Sequence, residues 1–350
     1  MIIKKLTIPL FFLLSSNLAV GDPATGNGAV ASFTGTATGQ ASTATGAVST
    51  ATGYFATATG SGSTATGYSA TASGIQSTAT GDLSTATGDF STATGNFSTA
   101  TGERSTATGY LSTAAGSGSI ATGPQSSASG YASIATGFMS TASGSESTAT
   151  GDASTATGTA SIASGSGSIA SGEYSTATGS GSNASGEYST ATGTSASASA
   201  KNSIALGRSS VASAIDSVAI GANSIADRIN SVSVGSAGAE RQITNLAPGT
   251  YGTDAVNVNQ LNSVEHKMAA GIASSMAMTP ATIAPGKASA IALGTGYYDG
   301  SSAIALSAAH IIKDNIITNV SVAYGFNAGN GTSLGNNSNL GARASVSYSF

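Results

Sequence analysis

Between residues 39 and 193 glycine returns at every seventh position, 23 times without a miss. No other feature of the chain restricts its folding so tightly. The unit reads G-x-x-S-T-A-T, as in GDLSTATGDFSTATGNFSTATG from Gly81 to Gly102. A seven-residue period can announce a coiled coil, but that needs apolar residues at two positions of each heptad. Here one position is glycine and most others are Ser, Thr or Ala, a composition that does not sustain a helix. Strand spacing fits better. Along S-T-A-T-G the side chains alternate, so Ser42, Ala44 and Gly46 share one face and Thr43 and Thr45 the other. The two variable residues that follow, such as Asp82-Leu83 or Tyr110-Leu111, form a turn. One heptad is then a short strand and a corner, two heptads make a coil, and coils stack as a parallel β-solenoid with a thin interior of Ser, Ala and Gly. At ~4.8 Å per coil, eleven or twelve such coils give a rod of roughly 55 Å. A Ser/Gly/Thr-rich segment can also be a flexible linker, but a linker has no reason to keep phase over 23 units. Ile replaces the first Thr at Ile120, Ile134, Ile162 and Ile169.

From Ala198 the phrase lengthens. The run AKNSIALGRSSVASAIDSVAIGANSIADRINSVSVG places Gly207, Gly221 and Gly235 fourteen residues apart. The pairs Ile204/Leu206, Val218/Ile220 and Val232/Val234 now stand where the Thr pairs stood upstream. A thin roll has no interior room for them, so they are expected to pack against another copy of the chain.

Composition removes several classes of function. Of 350 residues only 7% are charged, and the net charge is −4. From Asp22 to Ala200 there are eight acids and one base, Arg104. Nucleic acid is not an expected partner, because neutralising phosphates takes clustered Lys and Arg. The absence of Cys removes disulfides and thiolate metal sites. Glu265-His266 lacks the second His of a zinc-protease helix, and His310 is distant in sequence. The abundant Ser residues have no general base in their pattern. The groups Gly60-Ser61-Gly62 and Gly116-Ser117-Gly118 open no helix, so they make no phosphate loop. The expectation is a protein with no catalytic residues, no cofactor and no metal.

The two ends speak of export and of a membrane. Residues 1–21 carry Lys4 and Lys5, an apolar run Leu6 to Leu14, and small residues Ala19 and Gly21, which together read as a cleaved signal peptide. Residues 254–279 read as a helix capped by Asp254 and stopped by Pro280. Leu261, Val264 and Met268 form its seam, and Ala269, Ala270, Gly271, Ala273, Ser274, Ser275 and Ala277 continue it with small residues, leaving room for three helices in one tube. Four alternating segments follow, each about ten residues, with one apolar face, one small face, and Tyr297, Tyr324, Phe326, Tyr348 and Phe350 towards the ends. That pattern reads as outer-membrane β-strands in contact with lipid. Four strands cannot close a barrel and lipid tolerates no open edge, so three copies, with twelve strands, are expected.

The x-N-S-x-A-x-G repeat and the segment ITNLAPGTYGTDAVNVNQLNSV, Ile243 to Val264, resemble the trimeric autotransporter adhesins, the YadA-like surface proteins. The resemblance is close over residues about 196–350 and rests on the S-x-A-x-G skeleton over 26–195. It implies a left-handed parallel β-roll head at 22–240, with heptads over 39–195 and fourteen-residue repeats over 198–235. It further implies a neck at 241–264, a stalk helix at 254–279, and an anchor at 280–350 forming one third of a 12-stranded trimeric barrel. A homotrimer, a location in the outer membrane, and recognition of Phe350 by the outer-membrane barrel assembly machinery are implied with it. The family usually has Val or Ile where this head has Thr. The expected function is attachment to host cells or matrix, surfaces or other bacteria. Thr43, Thr45, Thr92, Thr94, Tyr110, Tyr174 and Tyr188 are candidate ligand-facing residues of the head. A head gripping ice through its Thr columns, and a passive surface spacer, are the alternatives.

Overall fold

The computed structural model describes residues 24–348 apart from 33, 314 and 328–338. The signal sequence, the loop centred on residues 328–338 and Phe350 lie outside the described residues. The chain divides into two compact units between Arg241 and Gln242.

The first unit is a two-sided solenoid. Strands such as Thr92–Thr94 and strands such as Thr99–Ala100 alternate along the chain and sort into two 15-stranded parallel sheets. One sheet has mainly three-residue strands and is called wide here; the other has two-residue strands and is called narrow. Coils pair in flush register: Thr92, Ala93 and Thr94 lie beside Thr106, Ala107 and Thr108 of the next coil. The alternation fixes what is inside. Ala93 and Ala100 are fully buried, as are the strand alanines from Ala37 to Ala226, together with the serine, or at Ala56, Ala70 and Ala196 the alanine, that precedes most strands. An interior of Ala and Ser holds two backbones close together with no large side chain between them.

The glycines do two different jobs. Those that end wide-sheet strands, such as Gly95, have φ near +130°, a region reserved for glycine. Those that end narrow-sheet strands, such as Gly88, have ordinary φ but touch the next coil: a Cβ on Gly88 would lie 2.1 Å from the carbonyl oxygen of Gly102. This difference explains the change beyond residue 198. The repeat does not lengthen there, because strands continue at Ile204–Leu206, Val211–Ala212, Val218–Ile220 and Ile225–Ala226, still seven residues apart. Only the narrow-sheet glycine is lost, to Ala200, Ala214 and Arg228. Gly186 N–H still shares the Ala198 carbonyl with Ser185 (3.3 and 3.0 Å), whereas at the next coil Ser199 alone bonds to Ala212. The Cβ is admitted by giving up one shared hydrogen bond.

Interior serines form two columns. Those after wide-sheet glycines turn back on the corner, as Ser98 Oγ does to Gly95 O at 2.9 Å. In the other column Ser63, Ser77, Ser91 and Ser105 have buried hydroxyls without a partner, although Ser49 and Ser133 of that column reach Gly46 and Gly130 at 2.7 and 2.8 Å. Arg241 closes the end of the stack, donating to Ser224 Oγ (2.7 Å), to Val234 O (2.5 Å) and to Ala222 O, so the last coil does not present bare carbonyls to water.

The second unit is a helix, α1 (Val258–Ala277), lying on a four-stranded antiparallel meander of Ser289–Tyr298, Ser301–Lys313, Ile316–Asn327 and Asn339–Tyr348. Two expectations for the helix are corrected. Asp254 is not its cap, because its carboxylate is already used by the N–H groups of Thr250 (2.9 Å) and Tyr251 (3.0 Å) in a turn of its own. The cap is Asn257, in a reciprocal box with Gln260. Gln260 also holds Gly249 from both sides, through its N–H and its carbonyl, at 2.9 Å each. The small residues do not continue the seam: Ala269, Ala270, Ala273, Ser274 and Ala277 are the buried face of α1, against the strands. The line of Leu261, Val264 and Met268 is instead extended on the exposed side by Ile272 and Met276.

Contact between helix and sheet is backbone-close. A Cβ on Gly294 would lie 2.0 Å from Ala277 O, on Gly296 2.1 Å from Ala273 O, and on Gly325 2.4 Å from Ala270 O. Glycines on the strands and alanines on the helix thus form one interlocking pair of surfaces, with Ala303, Ala305 and Ala323 filling the rest.

Candidate functional site

A protein built this way offers surfaces, not a cleft. The head has two faces and two corners, and each carries different chemistry. The Thr43/Thr45 and Thr92/Thr94 pairs, grouped together from the heptad pattern, lie on opposite sides of the roll: the first on the narrow sheet, the second on the wide. In each pair the first Thr is half-buried and the second exposed. The apolar pairs Ile204/Leu206 and Val218/Ile220, and Val232 of the third, stand on the wide sheet in its last three strands, with Val234 just past the end of the last. Ile204, Leu206, Ile220 and Val232 are exposed there in the single chain.

The corners were not separable in the heptad reading, because two successive turns belong to opposite edges. The turns after wide-sheet strands carry Tyr54-Phe55, Tyr68, Leu83, Phe97 and Tyr110-Leu111 in five successive coils and, after a coil with Pro124-Gln125, Phe138-Met139. The turns after narrow-sheet strands carry Asp89-Phe90, Glu103-Arg104, Glu146, Glu173-Tyr174, Glu187-Tyr188 and Lys201, with Val48, Ile75 and Tyr131 among them. Tyr110 therefore belongs to the edge richer in apolar residues, and Tyr174 and Tyr188 to the edge that holds most of the charges. Turns are laddered like strands: Phe97 N–H bonds to Asp82 O (2.9 Å) and Arg104 N–H to Asp89 O (2.8 Å). Tyr174 and Tyr188 stack at 5.2 Å. Glu187 accepts from Lys201 at 2.9 Å, and this hydrogen bond holds the exposed ammonium above its usual pKa. The signal that separates the corners was present in the sequence as a period of fourteen.

In the second unit the face away from the helix is apolar. Ile291, Leu293, Ile304, Leu306, Val320, Val322, Leu340 and Val346 are all exposed on it. The pairing sets the aromatics at its two rims. Tyr297 and Phe326 both face Ser302 across their ladders, with Tyr324 one rung in, beside Ile304; Tyr348 pairs with Ile316 at the opposite rim. Phe350 lies outside the described residues. No helix is long and apolar enough to cross a membrane among the described residues, which says nothing of crossing with strands. Ser289 Oγ meets His310 Nδ1 at 2.8 Å, a pair the sequence did not suggest. The described residues hold no cluster of three or more potential metal ligands.

A family model described as the YadA head domain repeat matches eleven stretches, most of them overlapping, between residues 37 and 237. The coiled stalk of trimeric autotransporter adhesin matches residues 242–276, and the YadA-like membrane anchor domain matches 281–350. The chain belongs to the YadA-like trimeric autotransporter adhesins. This adhesin is anchored in the outer membrane with its head displayed on the cell surface. Its family and fold are those of a structural protein rather than an enzyme. Among solved structures, a crystal structure of the collagen-binding domain of the Yersinia adhesin YadA is 33% identical to it, over 55% of the adhesin and 85% of that chain, with a TM-score of 0.24. No curated protein matches it.

Proposed function

We propose that three copies of this adhesin join their four-stranded sheets into one twelve-stranded barrel, which carries the heads out and then holds them at the surface. The observation that supports this most directly is the sheet itself. Both of its edge strands, Ser289–Tyr298 and Asn339–Tyr348, are unpaired on one side, while its outer face is a continuous apolar band. Lipid accepts such a band only with every backbone group bonded, and pairing edge to edge between copies provides this. Tyr297, Tyr324 and Phe326 would lie in one interfacial girdle and Tyr348 in the other, with Phe350 as the assembly signal. The exposed line Leu261, Val264 and Met268 would meet its copies in the three-helix stalk. The wide-sheet pairs Ile204/Leu206, Val218/Ile220 and Val232/Val234 would turn to the threefold axis. In this reading the head ends near residue 240, the neck spans 241–264, the helix region 254–279 and the anchor 280–350, behind a signal peptide of 21 residues.

The wide sheet being turned inward leaves the narrow sheet and both corners to meet a partner. Thr43 and Thr45 remain ligand-facing, whereas Thr92 and Thr94 face the axis. Attachment would be distributed over repeated coils and multiplied by three through effective concentration. Host matrix is one target, since the related Yersinia domain is named for collagen binding. Cells displaying the full chain, compared with cells lacking residues 24–240, are expected to gain adhesion to at least one of a panel of matrix proteins and surfaces. Their membranes should yield a species of three times the chain mass that falls to one on boiling. A stable single-chain species, or equal adhesion of headless cells, would refute the proposal.

A second reading has one observation in its favour. On the narrow sheet, which stays outward, Thr side chains run in flush register, with Thr85, Thr99 and Thr113 in one column. A flat grid of hydroxyls and methyls is the kind of surface that orders water. Thermal hysteresis and shaped ice crystals from the purified head would support ice binding, and their absence would dismiss it.

A further inference from the structure

One edge of the head gathers large apolar side chains over seven coils. At the second turn position Phe55, Leu83, Phe97, Leu111 and Met139 all have φ between 55° and 60°. This left-handed region disfavours large side chains, and Gly, Asn or Asp is the ordinary choice there. The same edge makes that choice further along, with Gly167, Gly181 and Asn223. Over residues 54–139 five of the seven second turn positions on this edge, all but Ser69 and Gln125, instead set large apolar groups on a reluctant backbone and leave them in water. They are 39–50% exposed, and Tyr54, Tyr68, Tyr110 and Phe138 at the first turn position are 40–52% exposed. The opposite corner breaks the same rule at Val48, Phe90, Tyr174 and Tyr188, but charged residues stand among them there; what sets the edge from Tyr54 to Met139 apart is that its large apolar side chains gather with a single charge between them.

The chemistry of the edge defines what it can touch. These nine side chains fall in seven consecutive coils, about 29 Å from first to last at ~4.8 Å per coil. Six of the nine are rings of ~150–250 Å², which at about half exposure already give roughly 400–700 Å², the scale of the largest apolar patches on monomers, before Leu83, Leu111 and Met139 are added. A turn at the edge of a roll is convex, so it has no walls to enclose a compact ligand. Within these coils its one charged residue is Asp82, whose carboxylate is engaged by Asn96 at 3.0 Å. The charges lie on the other corner, at Asp89, Glu103 and Arg104. Rungs are held one per coil by the turn ladder, and Tyr54 and Tyr68 stack at 5.4 Å with planes 7° apart, so their faces are spent on each other and their edges point outward. A neutral, convex, rigid comb of this length is matched by an extended apolar surface and by nothing that must be enveloped or charge-paired. The ridge also occupies the coils remote from Arg241, while the wide-sheet apolar pairs occupy the coils next to it.

We propose that this edge, Tyr54 to Met139, is a contact strip for extended, uncharged, hydrocarbon-like surfaces. The proposal rests on the reading that the head is displayed. The test uses cells displaying the full chain, with surface density counted by antibody. Phe55, Leu83, Phe97, Leu111 and Met139 are all replaced by Asn, the residue this edge already carries in the same conformation at Asn223. A control carries Phe90→Asn, Tyr174→Asn and Tyr188→Asn on the opposite corner. Adhesion is measured on methyl-terminated and hydroxyl-terminated monolayers. The parent and the control should adhere to the methyl surface at least tenfold better than the ridge variant, with equal display and no such difference on the hydroxyl surface. A displayed ridge variant that adheres to methyl as the parent does overturns the proposal. So does a ridge variant whose detergent-extracted oligomer melts lower than the parent's, because the strip would then be covered by another copy of the chain. A parent without surface signal overturns the display reading, and the strip with it.

Discussion

Gly95 and Gly88 occupy identical places in the heptad, and the structure requires that they respond differently to one added carbon. On Gly88 the Cβ would lie 2.1 Å from the carbonyl oxygen of Gly102, with ordinary φ. The neighbouring coil must move, as it does at Ala200, and overpacking of that kind costs about 1–3 kcal/mol. On Gly95 the Cβ would lie 2.7 Å from Gly109 O, and φ is also +130°. That conformation adds a further ~1–3 kcal/mol for any residue but glycine. Gly88→Ala is therefore expected to cost about 1–3 kcal/mol and Gly95→Ala about 2–6 kcal/mol. For a unit of this size each kcal/mol is worth ~2–4 °C in melting temperature. The purified head, residues 24–241, followed by circular dichroism at the strand band, should melt lower with Gly95→Ala than with Gly88→Ala by roughly 2–12 °C. Equal shifts for the two variants, or a larger one for Gly88→Ala, would refute the division of the glycines into two kinds.

Other consequences are as direct. Gly296→Ala pushes backbone against Ala273 O, and the resulting gap along the helix should lower the heat resistance of the extracted oligomer, by about 1–3 kcal/mol of packing. Ser98→Ala removes a hydrogen bond and should cost about 1 kcal/mol in the head, while Ser91→Ala removes an unpartnered hydroxyl and should be near neutral or stabilising, as paired melting curves would show. The Asp254 carboxyl lies below its ordinary value because the N–H groups of Tyr251 and Thr250 bond to its charged form. Its contribution to the neck is thus complete above the ordinary carboxylate pKa and is lost as pH falls through the lowered one. Amide exchange at Thr250 and Tyr251 should speed up on that acid side, and Asp254→Asn should remove the pH dependence. Leu306→Arg on the outer face should block stable insertion, at about 2–4 kcal/mol near mid-membrane, whereas the same change in the head surface at Thr101 should leave membrane yield unaltered.

Strand alternation was readable because it is local: Ser42, Ala44 and Gly46 go inward wherever S-T-A-T-G is a strand. The meander was readable for the same reason, since Ile304/Leu306 against Ala303/Ala305 needs only a period of two. What escaped depended on partners distant in sequence or on a longer period. The two corners differ only modulo fourteen, so a phrase repeated every seven residues concealed that Tyr110 and Tyr174 lie on opposite edges. Asp254 had the chemistry of a cap, but the N–H groups of its own turn compete for it and win, leaving the cap to Asn257. The run of Ala and Ser after Met268 showed that something must approach α1 closely. It did not say whether that was another helix or a strand, and Gly294, Gly296 and Gly325 give the answer.

A heptad is the unit of the text, but a full coil is fourteen residues. Duplication or loss of two heptads would lengthen or shorten the rod and leave every downstream side chain where it was. Duplication of one heptad would keep the reading frame and the strand pattern, yet turn all preceding coils half a revolution relative to those that follow. The wide sheet would continue as the narrow one, and the apolar edge would emerge on the charged side. Copy number in such a head is therefore constrained in parity as well as in length, and natural variants should differ by even numbers of heptads.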